Sequence, residues 1–257
     1  ILLIEDCSHA YAGEHAGHSL GQFGDYAVAS PYKYFACEDG GILVANRGSA
    51  LPAKRPQRAP WLAEVRSVTH CLTTARDRSR RCLDAEDLAL LDDQLQAIEA
   101  GGLHPAIEGE VAQSGWSNLY APDREGLAGL AVSRLVMRSS DAGGIAARRR
   151  ANYRAWSDAL AGLPQCRVLF PALPDGCVPY MFPLYIEHPQ HDFYLLKHLG
   201  VPVWRWDEMA VSACAVAADY RLHMIHLPCH QDLRQAELDW MIAAVSLVLR
   251  RSAEGSR

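Results

Sequence analysis

The stretch Ala29-Ser30-Pro31-Tyr32-Lys33-Tyr34-Phe35-Ala36-Cys37-Glu38-Asp39-Gly40-Gly41 decides how this chain is read. It lies between two β-rich runs, Tyr26-Ala27-Val28-Ala29-Ser30 and Ile42-Leu43-Val44-Ala45-Asn46, and Gly40-Gly41 turns the chain toward the second. So short a spacing leaves no room for a crossover helix, which predicts antiparallel strands or a tight connection. Upstream, the apolar run Ile1-Leu2-Leu3-Ile4 leads into Glu5 and Asp6. A continuously apolar strand is ordinarily buried in a parallel sheet with neighbours on both sides. The expectation is a buried strand over residues 1–5, a turn and short helix over 7–12, and a loop or hairpin over the glycine-rich 13–25. Residues 1–257 then read as the C-terminal part of a longer protein.

Working outward, Leu88, Leu90, Leu91, Leu95 and Ile98 recur at helical spacing and predict a helix over 83–100 that stops at Gly101-Gly102. Residues 47–80 give no clear assignment, and 103–125 read as irregular. Further helices are predicted over 127–138 and 145–160, the latter with Arg148-Arg149-Arg150 on an exposed, solvated turn. Short elements follow: strands over 180–186, 201–204 and 224–228, a helix over 192–199 closed by Gly200, and a final amphipathic helix over 233–249. Trp204 and Trp206 read as packing in this last part. The pattern divides the chain into residues 1–144, a sheet-bearing portion with linking helices, and 145–257, a small α+β domain.

Composition removes several function classes. With 257 residues, 49% of them hydrophobic, the chain can bury a substantial core. A net charge of -5 gives no nucleic-acid footprint. No run approaches the ~18 apolar residues of a membrane span, and no charged leader precedes an apolar core. A cytoplasmic protein with neither a membrane nor a nucleic-acid partner is expected. The eight cysteines form no Cys-x-x-Cys pair and the eleven histidines have no metal-type spacing, so reduced thiols and no metal site are expected.

Lys33 and Asp6 carry the chemistry. A strand ending in an acid, followed by a second strand that delivers a lysine, suits pyridoxal phosphate. The amine forms a Schiff base with the cofactor aldehyde, and the carboxylate keeps the pyridine nitrogen protonated so the ring accepts electrons. Displaced by substrate, the Lys33 amine can shuttle a proton, provided burial and the cationic cofactor lower its pKa. His9 could hydrogen-bond the cofactor's phenolic oxygen, and Ser30 could donate to its phosphate. Taken singly, each residue has a structural reading: a solvated lysine, a helix-capping Asp6, a structural His9, a silent Ser30. Their joint order and spacing raise the catalytic reading.

Three blocks, Ile4-Glu5-Asp6-Cys7-Ser8-His9-Ala10, Gly17 to Ser30, and Lys33 with Asp39-Gly40-Gly41, resemble the DegT/DnrJ/EryC1/StrS sugar aminotransferases. So do Arg149-Arg150-Ala151-Asn152-Tyr153, Val178 to Leu184, and Leu227-Pro228-Cys229-His230-Gln231. The resemblance implies an α/β chain with part of an aspartate-aminotransferase-like large domain (fold type I) before the small α+β domain. It implies pyridoxal 5'-phosphate as cofactor, with Asp6 at the pyridine nitrogen, His9 at the hydroxyl, Ser30 at the phosphate and Lys33 as the Schiff base. It further implies a homodimer and amino transfer, usually from glutamate, to a keto sugar on a nucleoside diphosphate. Two departures stand out. Ser30-Pro31-Tyr32-Lys33 is two residues shorter than the family's common segment, and the family's upstream Gly-Thr turn and ring-stacking aromatic are not in this sequence. The alternative is a non-catalytic binding or assembly protein on the same fold, or an inactive fragment. A dehydratase is disfavoured, because such relatives replace the lysine with histidine.

Overall fold

The structure, a computed structural model, describes residues 1–46, 48–51, 53, 56–78, 85–101, 122–205 and 212–255. Gly102, Trp206 and most of the stretch expected to be irregular lie outside the described residues. In chain order the strands are β1 (Ile4–Asp6), β2 (Glu14–His15), β3 (His18–Ser19), β4 (Tyr26–Ala29), β5 (Ile42–Ala45), β6 (Cys166–Val168), β7 (Met181–Ile186), β8 (Trp204–Arg205) and β9 (Met224–Pro228). The helices are α1 (Trp61–Arg78), α2 (Ala85–Ala89), α3 (Leu91–Ala100), α4 (Ala131–Ser139), α5 (Ala142–Leu160), α6 (Pro189–Leu199), α7 (Ala215–His223) and α8 (Gln235–Gly255). The chain divides into two compact units. The first comprises Ile1–Arg81, Leu119–Arg149 and Pro174–Tyr180; the second comprises Cys82–Asn118, Arg150–Leu173 and Met181–Arg257.

In the first unit β4 is the central strand of three. It pairs in parallel with β1, Asp6 opposite Val28, and antiparallel with β5, Ala29 opposite Ile42. The antiparallel pairing is what the short spacing dictates. β1 departs from expectation. It is a three-residue edge strand, and Ile1 to Ile4 are exposed. The reason is topological: its ladder has a partner on the β4 side alone among the described residues. No helix follows it; residues 7–12 form turns and bends, and β2 and β3 form the expected hairpin.

Polar side chains organise the return from β1 to β4. Glu5 accepts from the Gly21 and Phe23 N–H groups at 2.7 and 3.0 Å. Asn46 donates to the Gly21 and Gly24 carbonyls, and the Asp25 carboxylate accepts from the Leu3 N–H at 2.8 Å. Gly24 is required there, because a Cβ would stand 2.7 Å from the Tyr26 carbonyl oxygen and 2.8 Å from that of Leu3. After β5 the chain enters α1, a helix the sequence reading leaves unassigned. The helix expected over 127–138 begins later, at Ala131, where two carboxylates hold its free N–H groups. Asp39 accepts from the Leu130 N–H at 3.0 Å, and Glu64 accepts from Ala131 and Val132 at 2.7 and 3.2 Å.

The second unit is an antiparallel sheet ordered β6-β7-β9-β8. Alternation along β7 sends Phe182, Leu184 and Ile186 inward, where they join Ile225 and Leu227 of β9. Leu195 and Leu196 of α6, Val245, Val248 and Leu249 of α8, Leu95 of α3 and Trp156 of α5 complete this core. The Trp156 indole donates to the Pro228 carbonyl at 2.9 Å, so its polar edge is satisfied inside. Gly200 closes α6 as expected, in the left-handed region at φ 90°. The helix expected over 83–100 is interrupted at Leu90 into α2 and α3. Trp204 is 61% exposed, which corrects its reading as a packing residue.

Candidate active site

The parallel pairing of β1 and β4 brings two strand ends side by side. At the end of β1, Asp6 bends into a tight turn, its Oδ1 accepting from the Ser8 N–H at 2.8 Å. Hydrogen bonds from the Ser8 hydroxyl and N–H, helped by the charges of His9 and Lys33, hold the Asp6 carboxyl below the usual range against a smaller effect of burial. Asp6 is therefore ionised at neutral pH. The ladder continues one residue further, with the Cys7 N–H donating to the Val28 carbonyl at 2.7 Å.

Beyond β4 the chain forms a single 3-10 turn, Pro31–Lys33, in which the Lys33 N–H donates to the Ser30 carbonyl at 3.2 Å. Pro31 presets the first residue of this turn. The turn aims Lys33 back toward β1. Its Nζ lies 2.8 Å from His9 Nε2, 5.9 Å from the centre of the Tyr180 ring and 6.0 Å from that of Tyr32. An ammonium can only donate, so with Lys33 charged Nε2 accepts and the imidazole proton resides on Nδ1. Burial lowers the Lys33 pKa, with the Asp6 charge opposing. Burial and the Lys33 charge likewise lower that of His9, again against Asp6, which leaves the ring neutral at pH 7. The His9 ring rests on Tyr180 at 4.8 Å between centres, and its backbone carbonyl accepts the Tyr34 hydroxyl.

The structure thus brings His9 and Lys33 into contact, with Asp6 near enough for its charge to act on both. Ser30 flanks them at the start of the 3-10 turn, and its hydroxyl makes no hydrogen bond among the described residues. A carboxylate held ionised and an amine with a lowered pKa on adjoining strand ends fit the donor set pyridoxal phosphate takes. No group of three or more His, Cys, Asp or Glu that could hold a metal ion occurs among the described residues.

Arg149 corrects the sequence reading. It is expected on a solvated turn and is 2% exposed, with Nη1 donating to the Pro179 and Tyr180 carbonyls at 3.1 and 3.2 Å and Nη2 to the Lys33 carbonyl at 3.2 Å. The helical period gives the reason. Residues 149, 153, 156 and 160 share one face of α5, and Tyr153, Trp156 and Leu160 are all buried. Extending that stripe back by one turn would have found it. Asp39 and Glu5 also do structural work that their isolated positions in the sequence did not signal.

Residues 1–55 match the model of the DegT/DnrJ/EryC1/StrS aminotransferase family. That segment holds Asp6, His9, Ser30 and Lys33, and the match bears out the resemblance. No curated protein matches the chain by sequence. Among solved structures, Spr1654 of Streptococcus pneumoniae is similar with a TM-score of 0.59 at 12% identity, covering 100% of this chain and 59% of its own. PseC of Helicobacter pylori, an aminotransferase involved in pseudoaminic acid biosynthesis, has a TM-score of 0.56 at 12% identity, covering 98% of this chain and 60% of its own. TlmJ, an aminotransferase from Streptoalloteichus hindustanus, also has a TM-score of 0.56, at 17% identity, with the same coverages. The fold is therefore the α/β fold of pyridoxal-phosphate-dependent aminotransferases, as expected, and the chain spans about 60% of the length of these structures. No described helix is long and apolar enough to cross a membrane.

Proposed function

We propose that the protein is a pyridoxal-phosphate-dependent aminotransferase that moves an amino group, from a donor such as glutamate, to a keto sugar carried on a nucleotide. The observation that carries this reading is the placement of the Lys33 amine, 2.8 Å from His9 and within the field of an ionised Asp6, at the ends of parallel strands β1 and β4. The family match over residues 1–55 and the shared fold support it.

The cofactor, when bound, supplies an aldehyde for the lysine amine and a ring that takes up an electron pair from the substrate carbon. Lys33 would be the residue that holds it, and its free amine would be the base that moves a proton at the substrate carbon. A lowered amine pKa raises the fraction of free base available for that work at neutral pH. Asp6 would present its negative charge to the ring nitrogen, its carboxylate held in direction by the Ser8 hydrogen bonds. His9 receives the Lys33 amine in this structure and supplies the imidazole for the phenolic oxygen. Ser30 would contribute its hydroxyl to the phosphate. The working form is a homodimer, as the family resemblance implies.

Titrating the whole protein with pyridoxal phosphate tests this reading. The visible absorbance of lysine-bound cofactor should develop, and Lys33→Ala should abolish it together with amino transfer. Absorbance and binding that survive Lys33→Ala would sink the assignment.

A further inference from the structure

We propose that Arg149 is a positioning residue for the Lys33 amine: its guanidinium clamps the backbone of the Pro31–Lys33 turn so that the lysine side chain reaches His9. The meaning of this clamp for catalysis rests on the reading of Lys33 given above, but its physics does not. Arg149 donates from Nη2 to the carbonyl of Lys33 itself and from Nη1 to the carbonyls of Pro179 and Tyr180. Its guanidinium carbon stands 4.5 Å from the centre of the Tyr34 ring, and Tyr34 is the residue that follows Lys33. Tyr34 in turn donates its hydroxyl to the His9 carbonyl, while the Tyr180 ring lies against both the His9 ring and the Lys33 amine. One cation therefore touches the lysine backbone, the ring beside it, and the segment carrying the aromatic wall of the site.

The side-chain chemistry explains why arginine stands here. A guanidinium offers five donors in a rigid plane and stacks on aromatic faces. An ammonium is a compact, strongly hydrated point charge that cannot serve carbonyls on two chain segments while lying flat on a ring. Removing a guanidinium from water is unfavourable unless its donors are satisfied, so Arg149 stays buried only while its carbonyl acceptors keep their places. That mutual dependence is what converts a hydrogen-bonded cation into a clamp. Its mount is α5, a helix whose neighbouring turns are packed by Tyr153 and Trp156.

The Lys33 amine reports on the clamp. The groups facing it are His9, the Asp6 carboxylate, and the rings of Tyr32 and Tyr180. Burial holds its pKa down, so a turn released from Arg149 would let the amine move into water and its titration midpoint climb toward that of an ordinary lysine.

Competitive acetylation of Lys33 across a pH series, read by mass spectrometry on the cofactor-free whole protein, measures that midpoint without any turnover. We expect it to rise in Arg149→Gln and Arg149→Lys and to stay at the wild-type position in Arg148→Lys, since Arg148 is exposed on the same helix. Pyridoxal phosphate affinity should fall about tenfold in the Arg149 variants, the effect expected where the guanidinium bond to the Lys33 carbonyl is what keeps the amine in place. If Arg149→Gln does not fold, Arg149→Lys keeps the charge and helix propensity and carries the same test. A folded Arg149 variant with the wild-type midpoint overturns the proposal, and so does an equal shift in Arg148→Lys. Failure of the proposed function shows separately, as cofactor binding that persists in Lys33→Ala.

Discussion

The two units are held together by different physics. In the second, the aromatic and aliphatic side chains of β7, β9, α5, α6 and α8 are removed from water into one continuous core. In the first, Leu2, Leu3 and Ile4 of the β1 region, Leu43 and Val44 of β5, and Trp61, Val65, Val68 and Leu72 of α1 remain exposed. A fully buried side chain of this kind contributes about 1.5–3 kcal/mol, and these contribute little of it in this chain. What orders the first unit is a smaller apolar cluster, Tyr34, Phe35 and Val178 with Tyr11, Val136 and Tyr180 packed on it, joined by directional contacts: Glu5 on the 21–23 loop, Asp39 and Glu64 at the start of α4, Arg149 on the Lys33 turn. The proposed site sits where hydrogen bonds add direction to a small apolar cluster.

The comparison breaks most visibly at Trp156. It is fully buried, faces the Phe182 ring at 6.1 Å, and satisfies its indole N–H on Pro228. Trp156→Ala should destabilise the second unit by about 3–5 kcal/mol, the usual cost of a large aromatic truncated in a core. Denaturant unfolding of the variant measures it. A loss below about 1 kcal/mol would mean the core repacks freely, and the contrast between the units would be overstated.

How much of this was legible in the sequence follows the same division. The antiparallel β4–β5 pair was readable, because the residues between the strands cannot accommodate a crossover. The stop of α6 at Gly200 and the inward alternation of β7 were readable from local rules. The juxtaposition of Asp6, His9 and Lys33 was approached through strand ends and spacing. α1 was not readable. Trp61, Val65, Val68 and Leu72 do recur at helical spacing, but among arginines and threonines, and the stripe they make faces water, so the usual link between periodicity and burial fails. Exposure of Ile1 to Ile4 was missed for the converse reason: hydrophobicity forecasts a preference for burial, whereas burial itself needs a neighbouring element. Arg149 was misread because three adjacent arginines look alike in sequence. Only the phase of α5 separates the buried one from its exposed neighbour Arg148.

A smaller effect is expected at Glu5, the clearest directional contact of the first unit. Burial pushes its carboxyl up, but hydrogen bonds from Gly21, Phe23, Cys7 and Gly24 outweigh it, and the net pKa lies below the ordinary value. A depressed folded pKa means that the Glu5 contribution is fully present above the unfolded value of about 4.3 and is lost as pH falls through the lower folded value. Glu5→Ala leaves two loop N–H groups without their acceptor and should cost about 1–2 kcal/mol near neutrality. Amide exchange at Gly21 and Phe23 should speed up selectively, while Leu195 and Leu227 of the second unit keep their protection. Equal acceleration in both units would show that loop and core open together, contrary to the contrast drawn above.

The smallest effect concerns Lys33 itself, and its sign is diagnostic. Burial lowers the pKa of this amine, with Asp6 opposing, so the unfolded chain binds the proton more tightly than the folded one. Stability at this position therefore rises with pH between the folded pKa and the ordinary lysine value of about 10.4. Below the folded pKa the cost of holding a half-buried ammonium is fully present. Lys33→Met removes that cost and keeps an unbranched side chain, so the cofactor-free variant should be slightly more stable than the wild type at pH 7. Solvent screening of a partly exposed group keeps the gain small. The advantage should shrink as pH climbs toward the lysine range, where the wild-type amine loses its charge and its penalty together. Denaturant midpoints for the two proteins from pH 7 to pH 10 measure this difference. An advantage for methionine that widens with pH would contradict the desolvated-amine description. A lysine that costs stability in its charged form is what the proposed function requires of a group placed for reactivity.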